Sequence, residues 1–313
     1  MKNRFLYFLL LLPTGVLAQF KEVPMNLTTS TGDLKGALII PENAMSYPVV
    51  LLLPGSGPTD RNGNSIAGVK ANSYRLIAEG LAQQGIATLL IDKRGIGASK
   101  ASLKTEAGLL FDDYVKDAVG WIQLLRKTKG IKAVFIAGHS EGSLIGMLAA
   151  EKTKVQGYIS IAGPARSADE ILVEQLGRMA PQLRSMADSL LKRLKNGEKL
   201  DSVPPNLYFL LRPSIQPYIK NWIHYTPCAE LKKLKIPILI IQGTTDIQVA
   251  THEAEQLAIC QPKASLKVIE GMNHVLKTSG NDLKENKATY TNPVLPLSDH
   301  LIGTISTFVQ ENN

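Results

Sequence analysis

The alternation of continuous apolar runs with helical patterns constrains the fold of this chain more than any other feature. Apolar runs of strand length lie at residues 34–40, 48–53, 86–91, 133–137 and 155–161, and most are separated by amphipathic helical patterns at 73–84, 114–126 and 143–152. Strands that are apolar on both faces are typical of a parallel sheet covered by helices on both sides. The sequence therefore predicts an α/β fold.

The alternation stops between residue 163 and about residue 235. Helix-forming stretches at 168–179 and 183–194 and a proline-rich piece at 203–217 replace it, and then a strand (236–241), a helix (251–259), a strand (266–269) and a closing helix (298–310) follow. We predict one domain over residues 19–313, with a helical cap inserted at about 163–235. The stretch 277–296 is rich in Asn, Lys and Thr and is predicted to be a long surface loop.

The first eighteen residues have the order of a signal peptide. Lys2 and Arg4 precede the apolar run 5–12, and Pro13 is followed by the small-residue site Val16-Leu17-Ala18. The run is shorter than the roughly 20 residues that span a bilayer, so no stable membrane insertion is predicted. We expect cleavage before Gln19 and export to the periplasm or the medium of a bacterium, with an uncleaved anchor as the alternative.

The positive charge of the chain does not indicate a nucleic-acid partner. Loss of residues 1–18 would lower the formal net charge from +8 to +6. The remaining Lys and Arg are scattered, and their densest groups, at 192–195 and 232–235, are not interleaved with aromatic residues as in nucleic-acid grooves. We therefore interpret them as solvated helix faces.

Cys228 and Cys260 are the only two cysteines. In an oxidising compartment they could form one disulfide, but their spacing does not show whether they meet, so both states stay open. No cluster of Cys and His has the spacing of a metal site, and the sequence predicts neither a metal nor an organic cofactor.

The segment Gly138-His139-Ser140-Glu141-Gly142 places the pattern G-x-S-x-G between a predicted strand and a predicted helix. In this context the pattern is typical of a nucleophile elbow, in which a strained turn exposes the serine hydroxyl. The start of the following helix also directs free backbone N–H groups towards the reaction centre. Ser140 is therefore the predicted nucleophile.

A serine hydroxyl needs a base to take its proton. His274 follows the strand at 266–269, where a turn can direct its ring back to Ser140, so we predict it to be the base. His139 lies too close in sequence to reach its neighbour's hydroxyl. The other three histidines are placed in the cap or at helix starts, and they are His224, His252 and His300.

The base needs an acid to orient it, and Asp246 follows the strand at 236–241, at the sheet edge where open α/β sheets place their sites. Asp246 is the predicted acid. The rival is Asp169, which follows the strand at 155–161, but we expect it to cap the first helix of the predicted cap. Asp299 lies in the first turn of the closing helix, where a carboxylate favours the helix dipole.

Two backbone N–H groups are expected to form an oxyanion hole for the charge that develops on the carbonyl oxygen. One belongs to Glu141, and the other is assigned to Ser56 in the glycine-rich loop 54–58. In the continuation of that loop, Arg61 could bind a substrate carboxylate, but an ion pair with Asp60 or Asp92 is favoured.

These motifs together resemble the α/β-hydrolase superfamily, and within it secreted bacterial carboxylesterases akin to the serine aminopeptidase-like hydrolases. The resemblance covers nearly the whole mature chain and rests on residues 52–58, 60–64, 92–97, 138–143, 216–218, 222, 225–227, 243–249 and 273–274. It implies an α/β-hydrolase fold and the same triad of Ser140, Asp246 and His274. Pro54 departs from many relatives, in which a histidine often precedes the glycine of the oxyanion hole. Arg94, in the matched segment 92–97, is interpreted as stabilising a turn, and Trp222 and Tyr225 as anchors of the cap.

The predicted function is that of a serine carboxylesterase, which cleaves a small-molecule ester through an acyl-enzyme intermediate. Two alternatives stay open. An aminopeptidase or amidase could use the same triad, and an acidic cluster in the cap, hinted at by Asp169, Glu170 and Glu174, would favour it. The second alternative is a non-catalytic binding protein on a hydrolase scaffold. Such a protein is expected to lose a triad residue. The sequence predicts neither the acyl specificity nor the oligomeric state.

Overall fold

A computed structural model describes residues 20–313, so the predicted signal peptide lies outside the described residues. The fold is built on one eight-stranded sheet with the spatial order β1-β2-β4-β3-β5-β6-β7-β8. Its strands are β1 (Phe20–Thr29), β2 (Gly32–Pro41), β3 (Tyr47–Leu53), β4 (Ala87–Ile91), β5 (Ile131–His139), β6 (Gly157–Ile161), β7 (Ile238–Gly243) and β8 (Ser265–Ile269).

The strands from β3 to β8 are parallel, whereas β2 is antiparallel to both β1 and β4. The parallel strands place their carboxyl ends at one edge, which is where the loops after β3, β4, β5, β7 and β8 gather. The α/β fold predicted from the apolar runs is thus confirmed.

The helices that follow in chain order are α1 (Ser73–Gln83), α2 (Phe111–Lys127), α3 (Glu141–Lys152), α4 (Ala168–Met179), α5 (Arg184–Lys195), α6 (Tyr208–Leu211), α7 (Gln216–Trp222), α8 (Pro227–Lys233), α9 (Thr251–Cys260), α10 (Leu283–Ala288) and α11 (Leu301–Glu311). They cover both faces of the sheet. Along β3, Leu51 packs into the apolar cluster that contains α2 and α3, while its neighbours Val50 and Leu52 pack into the cluster that contains α1 and α11. The continuous apolar run of β3 is explained by this burial on both faces.

The segment between β6 and β7 is mainly helical and contains α4 to α8. Its contacts with the sheet domain include an aromatic stack and a disulfide. Trp222 at the end of α7 stacks on Phe111 of α2, with ring centroids 5.9 Å apart. A disulfide joins Cys228 in α8 to Cys260 at the end of α9, with a Cα–Cα distance of 5.7 Å. Of the two states that the sequence left open, the structure thus has the bonded one.

The sequence analysis missed one strand of the sheet and one short helix within a predicted loop. The sheet begins with β1, an edge strand that the sequence did not reveal, since it contains Pro24 and its side chains are only half-buried. The predicted surface loop at 277–296 contains helix α10, and Lys277 and Asn286 are fully buried within it. The amide of Asn286 donates to the backbone carbonyl of Thr245 at 2.8 Å, so this segment supports the loop that carries Asp246.

Among residues 20–313, no helix combines the length and the apolar character needed to cross a membrane.

Candidate active site

Ser140 occupies a sharp turn between the end of β5 and the start of α3. Its backbone has φ 54° and ψ −120°, and its N–H donates to the carbonyl of Ile161 at 2.9 Å. A non-glycine residue in such a conformation costs about 1–3 kcal/mol, which the surrounding structure must supply. The turn is possible because Gly138 and Gly142 have no side chains. A Cβ at Gly138 would overlap the carbonyl of Gly142, and a Cβ at Gly142 would overlap the carbonyl of Leu53.

His274 and Asp246 form a buried pair next to this turn. The Nδ1 atom of His274 lies 2.8 Å from Oδ2 of Asp246, and the two side chains are 7% and 1% exposed. Oδ1 of Asp246 accepts hydrogen bonds from the backbone N–H groups of Gln248 and Val249, at 2.7 and 2.9 Å. The carboxylate is therefore fixed in place, and it holds Nδ1 of His274 as the donor, so that Nε2 is free to accept a proton.

The charge of Asp246 is retained despite its burial. Burial alone would raise the pKa of this carboxyl group, but the His274 ring and the two backbone N–H groups hold the pKa below its ordinary value. An ionised Asp246 can stabilise the positive charge that His274 acquires when it takes a proton.

Ser140 and His274 border one cavity of about 200 Å³. Within residues 20–313, no hydrogen bond joins the Ser140 hydroxyl to the His274 ring. Such contacts are often long in the absence of substrate and shorten when the substrate binds. The structure thus brings the three predicted triad residues to one site, with the acid–base contact already formed.

The loop after β3 passes directly over Ser140. A Cβ on Gly55 would lie 3.3 Å from the Cβ of Ser140, so only glycine allows this approach without a shift. The next residue, Ser56, borders a second cavity together with Ser140 and Glu141. Within the described residues the Ser56 N–H makes no hydrogen bond. Both predicted donors of the oxyanion hole therefore lie beside the nucleophile.

Two buried side chains hold the two backbone groups of Gly55, the residue before Ser56, and the sequence revealed neither of them. The Gly55 N–H donates to the hydroxyl of Tyr74 in α1 at 3.0 Å, and Nζ of Lys93 donates to the Gly55 carbonyl at 2.6 Å. Lys93 is 4% exposed and also lies 3.5 Å from the carboxylate of Glu141. In a trans peptide the C=O and the following N–H point in opposite directions. Since Lys93 holds the Gly55 carbonyl on one side, the Ser56 N–H is directed to the other.

His139 connects this loop to the loop of the base. Its Nε2 atom lies 2.9 Å from the His274 carbonyl, which can only accept, so Nε2 carries the proton and Nδ1 accepts from the Tyr74 hydroxyl at 2.8 Å. Burial, reinforced by the neighbouring His274, lowers the pKa of His139 to about 3, so the ring stays neutral. A chain of hydrogen bonds therefore runs from Gly55 through Tyr74 and His139 to the backbone of His274.

Asp169, the rival acid, takes no part in the site. It pairs with Lys195 of the cap at 2.8 Å, and it does not cap α4 as we expected. That role belongs to Ser167, which forms a reciprocal capping box with Glu170. Asp169 lies in the first turn of α4, where its side chain contacts α5 and not His274.

Two arginines near the sheet edge have structural partners. Arg61 pairs with Asp92 at 2.6 Å, which is the favoured alternative of the sequence analysis. Arg94 pairs with Asp117 of α2, 2.5 Å away, and this buried pair stabilises the turn after β4. Neither arginine borders the cavities at Ser140 as a free cation.

Among the described residues, Glu174, His252 and Glu253 form the single group whose ligand atoms are close enough to share a metal ion. The guanidinium of Arg166 already pairs with both carboxylates of that group. A cation thus occupies the position that a metal would take, and the donor set does not fit a metal.

Comparison with known proteins agrees with this architecture. The chain is 29% identical to esterase EstD of Thermotoga maritima over 250 residues, which are 78% of this chain and 58% of that protein. Among solved structures it resembles Est1E from Butyrivibrio proteoclasticus (TM-score 0.58, 17% identity, 92% of this chain and 96% of that chain). It also resembles the Pyrococcus furiosus esterase Pf2001 (TM-score 0.61, 16% identity, 93% and 91%). At these identities the solved structures show the fold alone.

The family described as serine aminopeptidase, S33, matches residues 67–278, which are more than half of the chain. That span contains Ser140, Asp246 and His274, as well as Tyr74, Lys93 and His139. The chain therefore belongs to the serine aminopeptidase S33 family of α/β-hydrolases.

Proposed function

We propose that the protein is a serine carboxylesterase that cleaves small-molecule esters through an acyl-enzyme on Ser140. The buried contact between Asp246 and His274, beside a nucleophile in a strained elbow, is the observation that carries the proposal. The similarity to a protein named as an esterase supports it, although the match spans only 58% of that protein's length.

The reaction follows from the geometry of the site. The Ser140 hydroxyl adds to the ester carbonyl carbon while Nε2 of His274 takes its proton. The carbonyl oxygen becomes negative and accepts hydrogen bonds from the N–H groups of Ser56 and Glu141. The ester C–O bond then breaks, and His274 gives the proton to the leaving alcohol oxygen. A water molecule, activated in turn by His274, adds to the acyl-enzyme, and the acid is released with Ser140 restored.

The contacts of the acidic residues in the cap argue against the aminopeptidase alternative. Asp169 pairs with Lys195, Glu170 binds Ser167, and Glu174 pairs with Arg166 and Arg178. A site for the amine of a peptide substrate needs a carboxylate that is not already neutralised. The three acidic residues of the cap are thus engaged in contacts within the protein and do not form a free binding site for a substrate amine.

Active-site labelling tests the proposal. A fluorophosphonate probe should label the wild-type protein stoichiometrically at Ser140, and Ser140→Ala should abolish both labelling and the hydrolysis of p-nitrophenyl acetate. Ser143→Ala is the matched control, because Ser143 lies one helical turn away and is bonded to Tyr158 and Ser160. Retention of hydrolysis by Ser140→Ala would contradict the mechanism.

We also propose that the protein is exported after removal of residues 1–18. The disulfide between Cys228 and Cys260 supports this, because such bonds persist mainly in oxidising compartments. Mass spectrometry of the protein recovered from its natural host should give an N-terminus at Gln19. An intact Met1 on cytoplasmic protein would refute the proposal.

A further inference from the structure

Two cavities of different size meet at Ser140. The first, which we call the leaving-group cavity, has about 200 Å³ and is bordered by Thr59, Ser65, Val69, Gln248, His274 and Tyr290 among others. The second, which we call the acyl cavity, has about 30 Å³ and is bordered by Glu141, Leu144, Ile171, Leu172, Trp222 and Val249 among others. Ser140 and Ser56 border both.

The position of the base decides which part of an ester enters which cavity. His274 borders the first cavity and not the second, whereas Glu141 borders the second and not the first. His274 must deliver a proton to the oxygen of the departing alcohol, so the alcohol lies on the side of His274. The acyl chain then extends from the carbonyl carbon into the smaller cavity.

The acyl cavity has room for a very short chain. A cavity must have about 10–15 Å³ to hold one water molecule. The acyl cavity, with about 30 Å³, therefore has room for roughly two atoms the size of a water oxygen. Its walls are fixed by packing, since Leu144 is 2% and Ile171 7% exposed and Trp222 is stacked on Phe111. Widening the cavity would break these contacts, which close-packed interiors resist.

The leaving-group cavity is larger, has a mixed polar and apolar lining, and is free of Lys, Arg, Asp and Glu among the described residues that border it. Residues with hydroxyl or amide side chains, namely Thr59, Ser65, Tyr290 and Gln248, are among those that border it. The Gln248 amide donates to the Tyr290 hydroxyl at 3.3 Å. A few polar groups in a neutral cavity suit a ligand with several hydroxyl groups and no charge.

We infer that the substrate is an acetyl ester of a neutral, hydroxyl-rich alcohol such as an O-acetylated sugar. The inference rests on the proposed esterase function and adds to it the identity of both halves of the ester. The bond that breaks joins the acetyl carbon to the sugar oxygen, and the products are acetate and the free hydroxyl.

A series of p-nitrophenyl esters tests the acyl half. From acetate to butanoate, which adds two methylenes, kcat/KM should fall about 100-fold or more, and hexanoate should be poorer still, since each added methylene in a filled pocket costs about 10-fold or more. Ile171→Ala should raise the hexanoate-to-acetate ratio at least 10-fold. Val69→Ala, on the wall of the leaving-group cavity, is the matched control and should leave that ratio within twofold. A wild-type preference for hexanoate over acetate would overturn the inference. This measurement uses the wild-type protein alone, so it tests the inference even if Ile171→Ala does not fold.

Two acetyl esters of similar size test the alcohol half. Mono-acetylated glucose should be cleaved with a kcat/KM at least 10-fold above that of hexyl acetate, and Gln248→Leu should reduce this preference. Equal rates for the two would overturn the assignment of the alcohol. If the proposed esterase function were wrong, fluorophosphonate would not label the protein and no ester of any chain length would be hydrolysed. That outcome differs from a changed acyl preference and from a changed alcohol preference.

Discussion

The two sides of Ser140 are built by different means. On one side, the acid–base pair consists of side chains in direct contact, Asp246 and His274, each in the loop that follows its own strand. On the other side, the proposed oxyanion hole consists of backbone N–H groups, and Gly55, the residue before one of them, is held by Tyr74 and Lys93. The side chains proposed for catalysis could thus be identified in the sequence, whereas the side chains that hold the neighbouring backbone could not.

Loss of the acid should have the largest effect on the acid–base side. Asp246→Asn should lower kcat for p-nitrophenyl acetate about 10⁴-fold, because the amide no longer enforces the tautomer of His274 that leaves Nε2 free. Asp169→Asn, the rival acid in the cap, is the matched control and should keep kcat within about threefold. A kcat for Asp246→Asn within tenfold of the wild type would disprove the assignment.

Loss of the buried cation should have the next largest effect, on the oxyanion side. Lys93→Met removes the hydrogen bond to the Gly55 carbonyl and should lower kcat by about 10²–10³-fold, comparable to loss of one oxyanion donor, with KM little changed. A transition-state analogue such as a boronic acid should lose affinity by a similar factor.

Arg94→Met is the control for Lys93→Met. Arg94 is the adjacent buried cation, and its pairing with Asp117 lies away from Gly55. This variant should lose stability, by about 3–5 kcal/mol, but keep kcat within about threefold. Equal kcat losses in the two variants would mean that Lys93 acts through general stability alone.

The pH dependence of kcat should reveal the titration of Lys93. Burial lowers the pKa of Lys93 below its ordinary value, and the nearby Glu141 only partly opposes this. The ammonium should therefore lose its proton, and kcat should fall, at a pH below that at which an exposed lysine titrates.

The alkaline loss of kcat should occur without unfolding. Because the pKa of Lys93 is lower in the folded state, the unfolded chain binds more protons between the two pKa values, and this group makes the folded state more stable as the pH rises. Circular dichroism measured alongside kcat checks this. The alkaline decline should be absent from Lys93→Met, and its persistence there would assign it to another group.

The same contrast explains what could be predicted. Ser140, Asp246 and His274 were found because each follows a recognisable apolar strand in chain order, and the sheet then brings the strand ends together. Tyr74 and Lys93 lie 19 and 38 residues from Gly55. They contact only its backbone, so no residue pattern at Gly55 indicates them.

The peripheral errors have physical causes as well. The strand β1 was missed because an edge strand is only half-buried and lacks a continuous apolar run. The segment 277–296 is largely exposed, as expected, but Asn286 within it is buried and bonded to the Thr245 carbonyl, which the sequence did not indicate. Composition cannot distinguish a polar residue that is solvated from one that is bonded inside the protein.

Tyr74 connects the two sides, and its loss should have the smallest effect on kcat. Tyr74→Phe removes the hydroxyl that accepts from the Gly55 N–H and donates to Nδ1 of His139. The peptide is still held by Lys93, so kcat should fall only about tenfold, while two unpaired buried groups lower the stability by about 2–4 kcal/mol. Tyr158→Phe, which removes a buried hydroxyl bonded to Ser143, should give a similar loss of stability with a smaller loss of kcat.

A double-mutant cycle makes this last comparison quantitative. Tyr74 and Lys93 hold opposite ends of the same residue, Gly55, so the loss of either already loosens the peptide that presents the Ser56 N–H. The kcat of the double variant should therefore be higher than the product of the two separate losses would give. For Lys93→Met combined with Asp246→Asn, the losses should multiply, because Asp246 orients His274 through Nδ1, whereas Lys93 contacts neither of these residues. Multiplicative losses in both cycles would show that Tyr74 and Lys93 act independently and that the Gly55 peptide is not their common point of action.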